Sequence, residues 1–91
     1  MYYYYGLFGE NFSPMTPQII QQLIEQGMPD AQVTVSGAEG KFTAEVTSPQ
    51  FEGLIPLKRH KLVYACVNAE ITSGALHALT IIAKTPAETV T

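Results

Sequence analysis

With 91 residues, the chain has length for one small domain with a modest core and little depth for an active-site cleft. Its residues are 46% hydrophobic and 14% charged, as in a globular domain, and a net charge of −3 gives no bulk attraction to DNA or anionic membranes. One cysteine excludes an intramolecular disulfide framework, no apolar run nears the ~18 residues of a membrane span, and the N-terminus lacks a signal peptide's positive region, so a cytoplasmic protein is expected.

Residues 1–14, "MYYYYGLFGENFSP", hold six of the nine aromatic residues without a clear period. They read as an upstream extension, a tag or an early start, with the domain running over 15–88 and a tail over 89–91. "TPQIIQQLIEQGMP" carries helix punctuation: Thr16 as N-cap, Pro17 at the first helical position, Gly27 as a left-handed C-terminal stop and Pro29 beyond it. Ile19, Ile20, Leu23 and Ile24 form the buried stripe. Two strands follow. Val33 and Val35 alternate with polar residues in "AQVTVS", as do Phe42, Ala44 and Val46 in "KFTAEVTS", and "GAEG" supplies the turn glycines of a hairpin.

"SPQFEGLIP" is a breaker-rich link, and Pro56 then opens a second helix, "PLKRHKLVYACVNAEI". Leu62, Val63, Cys66 and Val67 share its buried face, Arg59 points near that face, and Lys58 and Lys61 lie on the other side. Ser73 and Gly74 close it. "ALHALTIIAK" is a third strand, in which His77 begins the core-facing row with Leu79 and Ile81. "TPAE" is a terminal turn. The order α-β-β-α-β describes an α+β domain with a three-stranded sheet covered on one side by helices.

Few residues bear chemistry. His77 is either a half-buried core imidazole or a metal ligand, and His60 is a helix-surface residue or a second ligand. Cys66 reads as a small hydrophobe. The run Lys58, Arg59, His60, Lys61 holds three of the five Lys and Arg residues. Positive charge in the first turns of a helix opposes the macrodipole, so local stability does not explain it. The run reads as a solvated helix face, as a dock for an acidic or glutathione-bearing partner, or as a contact with DNA phosphates. Paired carboxylates, a Ser-His-Asp spacing, CxxC and a phosphate-binding glycine loop are all missing, so no enzyme is expected.

In order and spacing, "LIEQGMPDAQVTVSG", "SPQFEG", "RHKLVY" and "LHALTI" followed by "TPAE" resemble the BolA family. The resemblance covers about Thr16 to Glu88. It implies a class II KH-like fold with helices on one face and no enzymatic turnover. It also implies partnership with a monothiol glutaredoxin through a shared 2Fe–2S cluster. No cluster is expected in the protein alone, which is expected to be a monomer or weak homodimer. The glutaredoxin cysteine and glutathione would hold one side of the cluster, and His77 falls on the family's invariant histidine. Lys41 stands where many members have the second ligand, a histidine immediately before the aromatic, and an ammonium has no lone pair for a metal. His60 is the candidate replacement. Some BolA-like proteins are described as transcriptional regulators of stress and morphology, which makes DNA contact through Lys58, Arg59 and Lys61 the alternative function.

Overall fold

Thr16 starts the first helix in the computed structural model, which describes residues 15–89. Its hydroxyl oxygen accepts a hydrogen bond from the Ile19 amide at 3.2 Å, and Pro17 sits in the first turn, where its missing N–H is no loss. Helix α1 runs Pro17–Gly27 and buries Ile20 and Ile24. The expected residues 1–14 extension and the last two residues of the tail lie outside the described residues.

Gly27 differs from its expected role. It is the last helical residue, and it is not among the glycines with positive φ. Space explains the glycine instead, because a Cβ built there would lie 2.5 Å from Cys66 Sγ and 3.2 Å from Cys66 Cβ. At Gly27 the backbone of the first helix meets a side chain of the second. Gly27→Ala is therefore expected to destabilise the fold by about 1–3 kcal/mol through overpacking. Urea unfolding reads this as a lower midpoint, and adding Cys66→Ala should recover part of the loss. An unchanged midpoint for the single variant would show that the helices yield freely.

Strands β1 (Gln32–Ala38) and β2 (Lys41–Thr47) form an antiparallel hairpin, with Val33 opposite Val46 and Val35 opposite Ala44. Ala38 pairs with Lys41, leaving Glu39 and Gly40 as a two-residue turn at φ 56° and 82°. Positive φ at both central positions is what a type I′ hairpin turn requires. Strand β1 thus extends two residues beyond the expected Ser36. Ser48, fully buried, ends β2: its hydroxyl accepts from the Gln50 amide at 3.0 Å, and its amide donates to Lys84 O at 3.0 Å. A short turn of 3-10 helix, Pro49–Phe51, then buries Phe51.

The expected single second helix is two. Helix α2 spans Pro56–Cys66 and α3 spans Asn68–Thr72, with Val67 between them at φ −121° and ψ 21°. The α2 end tightens, its Val67 amide bonding Tyr64 O at 3.0 Å, where a β-branched residue and an asparagine both disfavour continuation. Together these helices form the crossover that returns the chain to β3 (Ala78–Lys84), which runs parallel to β2 in the order β1-β2-β3. A last short helix, α4, covers Pro86–Thr89.

The core lies between one sheet face and the helices. Ile20, Ile24, Val63 and Val67 from the helices meet Val33, Phe42, Ala44, Val46 and Ile81 from the strands. The alternate residues Thr34, Glu45 and Ile82 face outward and are exposed. The expected α+β arrangement with helices on one face is therefore observed.

Candidate functional site

Leu76, not His77, enters the core. Leu76 is 2% exposed and its amide donates to Glu70 O at 3.0 Å, whereas His77 is exposed. The expectation that His77 begins the core-facing row is thus corrected. Strand β3 begins only at Ala78, so the pleat's alternation does not bind the residue before it. Gly74, at φ 86°, turns the chain after α3, which lets Leu76 plug the core while the next side chain stays outside. The imidazole lines a surface pocket of about 640 Å³ with Tyr64, Asn68, Ile71, Leu76, Leu79 and Thr80. Tyr64 is fixed there, its hydroxyl donating to Leu79 O at 3.4 Å.

Lys41 belongs to the same end of the sheet. It is exposed, begins β2 and pairs in register with Ala78, the residue after His77. His60 does not belong to it. Arg59 reaches Ala83 O and Tyr64 reaches Leu79 O, so α2 starts beside the far end of β3 and finishes beside its near end. His60, half-buried in the first turns of α2, therefore lies away from His77. It is not among the residues lining the His77 pocket, so the structure lends no support to His60 as a replacement ligand. Among the described residues, no group of three or more His, Cys, Asp or Glu side chains is placed to hold a metal ion.

The basic run divides. Lys58 and Lys61 are exposed and His60 is half-buried, but the Arg59 side chain is only 13% exposed. Its Nε donates to Leu54 O at 2.8 Å and its Nη1 to Ala83 O at 3.1 Å. Both Nη atoms also hold the Glu88 carboxylate, at 2.8 and 3.3 Å, and the guanidinium carbon lies 6.0 Å from the Phe51 ring centroid. Arg59, expected as a partner or nucleic-acid contact, is engaged inside the fold. It ties the link before α2, the end of β3 and the C-terminal turn into one clamp.

Glu88 completes that clamp. Its carboxylate accepts from the Thr85 amide at 2.8 Å, while its own amide donates to Thr85 Oγ1 at 3.3 Å, a reciprocal capping box spelled by "TPAE". The hydrogen bond from Arg59, aided by the Thr85 amide, lowers the Glu88 carboxyl to about 2. A depressed folded-state value means its stabilisation is complete above the ordinary 4.5 and is lost as pH falls toward 2. Acid unfolding followed by circular dichroism should thus show a stability loss between those values that Glu88→Gln reduces. Identical acid limbs for the two proteins would remove Glu88 from the account.

Cys66 follows its expected role. Its thiol is half-buried and donates to Leu62 O at 3.5 Å, and burial raises its pKa, which disfavours the reactive thiolate.

These features describe a small α+β domain with a mixed three-stranded sheet, closed by an arginine clamp and presenting one exposed imidazole at the sheet end. Comparison with known proteins gives that class its family. The model described as BolA-like protein matches residues 9–88, and the chain belongs to that family. The match begins inside the segment read as an extension. The chain is 42% identical over 74 residues to an uncharacterized protein of the rpoN-murA intergenic region of Acinetobacter guillouiae, covering 81% of this chain and 89% of that one. It is 39% identical to BolA-like protein 1 of Bos taurus, again over 81% of this chain but only 52% of the relative. Among solved structures, a BolA homologue from Coxiella burnetii superposes with TM-score 0.76 at 36% identity, over 85% of this chain and 99% of that one.

Proposed function

We propose that the protein is a non-enzymatic adaptor in iron–sulfur cluster trafficking and iron regulation, which docks on a monothiol glutaredoxin and places His77 on a shared 2Fe–2S cluster. The observation that carries this reading is the position of His77. It is exposed, yet its backbone is held between the buried Leu76 and the β2–β3 ladder. With the backbone held this way, ligation would cost mainly the rotamer freedom of the exposed imidazole. The donor set fits a shared group and not a resident one: His77 offers one lone pair, and Lys41 offers none. The remaining ligands fall to the partner's cysteine and its glutathione. When bound, a cluster with imidazole in place of thiolate has a raised reduction potential.

The test is to titrate the protein into a cluster-loaded monothiol glutaredoxin and record visible absorption and circular dichroism. A spectral change is expected, and His77→Ala should abolish it. An equal change with His77→Ala, or none with the unaltered protein, defeats the ligand role. DNA binding draws on the same basic run and is less well supported. With Arg59 engaged internally, Lys58 and Lys61 remain, and about two phosphate contacts give a salt slope near −1.8 and weak binding. A gel shift that survives Lys58→Gln with Lys61→Gln would show that any DNA contact lies elsewhere.

A further inference from the structure

Six large hydrophobic residues are exposed among the described residues, and all but Ile82 belong to the segment from Ile55 to Ile71. Within α2, Leu57, Lys61 and Tyr64 follow one another at spacings of four and three, so they share a face. Tyr64 then joins Asn68 and Ile71 of α3 in the wall of the His77 pocket. The result is one strip from Leu57, 61% exposed, through Tyr64 at 39% to Ile71 at 37%, ending beside the imidazole. Exposed apolar side chains gathered on one face and interleaved with polar groups are the pattern of a protein-binding surface. The Tyr64 hydroxyl reaches Leu79 O at 3.4 Å, a long contact that sets the middle of the strip against β3.

Charge selects the occupant. The chain carries −3 overall, yet Lys58 and Lys61 stand exposed at the start of the strip, and among the described residues no carboxylate lines the pocket at its end. An acidic surface is repelled by the body as a whole and attracted here, which fixes its orientation as well as its rate of approach. We infer that the strip Leu57–Lys61–Tyr64–Ile71 is the docking surface for a protein partner with three features in line. These are an acidic surface facing Lys58 and Lys61, an apolar side chain entering the pocket, and a thiolate-held metal centre meeting His77. The inference rests on the glutaredoxin reading and adds that the partner is held by the strip before any metal is ligated. Affinity and ligation are then separable properties of neighbouring residues.

Calorimetric titration of the full chain with a monothiol glutaredoxin, in both apo and cluster-loaded states, tests this. With the apo partner, Ile71→Glu is expected to weaken binding about tenfold or more, the effect of burying a charge in an apolar anchor site. Lys61→Glu should weaken it by roughly three- to tenfold and reduce its salt dependence. His77→Ala should bind within about twofold of the unaltered protein, because the strip is intact. At saturating concentration, Ile71→Glu should still give the cluster's visible spectral change, which His77→Ala cannot. Thermal midpoints check the folding of Ile71→Glu, and the surface variant Lys61→Glu stands if that one is unstable. Normal binding by both charge variants overturns the strip and leaves the glutaredoxin reading in place. No binding by the unaltered protein in either state overturns both. A dimer in light scattering that Ile71→Glu dissolves, with glutaredoxin binding intact, assigns the strip to a second copy of this chain and also overturns the inference.

Discussion

Replacing Arg59 with alanine is expected to lower the unfolding free energy by about 2–4 kcal/mol, the largest effect of any single change outside the apolar core. Charged hydrogen bonds contribute roughly 1.5–3 kcal/mol, and loss of the donor strands its acceptors. Here the donor serves Leu54 O, Ala83 O and the Glu88 carboxylate together. The pair with Glu88 alone would count for little, since that carboxylate is 48% exposed, so most of the loss should come from the two backbone carbonyls. Arg59→Lys should recover only a small part, because a lysine ammonium cannot reproduce a planar fork that reaches three acceptors in fixed directions. For a domain of this size the alanine variant should melt roughly 10 °C lower or more. Urea unfolding by far-ultraviolet circular dichroism reads the free energy, and a midpoint equal to that of the unaltered protein would show that the clamp contributes nothing.

How much of this clamp is legible in the residues shows where sequence reasoning stops. Helix α1, the hairpin and the alternating strand faces follow from local punctuation and periodicity, and each is found within a few residues of its expected bounds. The parallel pairing of β3 with β2 is not fixed by local signals, because a connection of roughly thirty residues is long enough for a parallel crossover without requiring one. Arg59 is a different case. Its spacing to Val63 and Val67 places it near the buried face, and a charge on a buried face requires a partner. The partners are 24 and 29 positions away, at Ala83 and Glu88, and no periodicity connects them. The signal that could have found the pairing is the "TPAE" box, where a carboxylate already committed to a capping role waits at the end of β3. His77 is misplaced by sequence for the opposite reason. Strand alternation, extended one residue past the strand's true start, points it inward, and the turn at Gly74 that frees it depends on Leu76 finding room in the core. The strip on α2 and α3 escapes a reading of the residues because Leu57 and Tyr64 look like ordinary apolar helix residues until their exposure is known.

The second large effect belongs to His77. Because the side chain is exposed and lies outside the core, His77→Ala should change stability by no more than about 0.5 kcal/mol. Its effect on a glutaredoxin-shared cluster should nevertheless be complete, with the visible dichroism of the mixture returning to that of the glutaredoxin alone. His77→Cys separates loss of a ligand from change of a ligand. A thiolate restores a donor at the same position, so the cluster should be retained, but with a lower reduction potential than the imidazole gives. Lys41→His provides the third point of the series. Its register opposite Ala78 sets it one position from His77 at the same end of the sheet, so the substitution adds a second imidazole where the native chain has a cation. That variant should lose its visible absorbance to an added chelator more slowly than the unaltered complex, since two donors from one chain must leave together. Equal rates for the unaltered and Lys41→His complexes would mean that the hairpin does not reach the cluster. An undiminished spectrum with His77→Ala would move the ligand off His77 altogether.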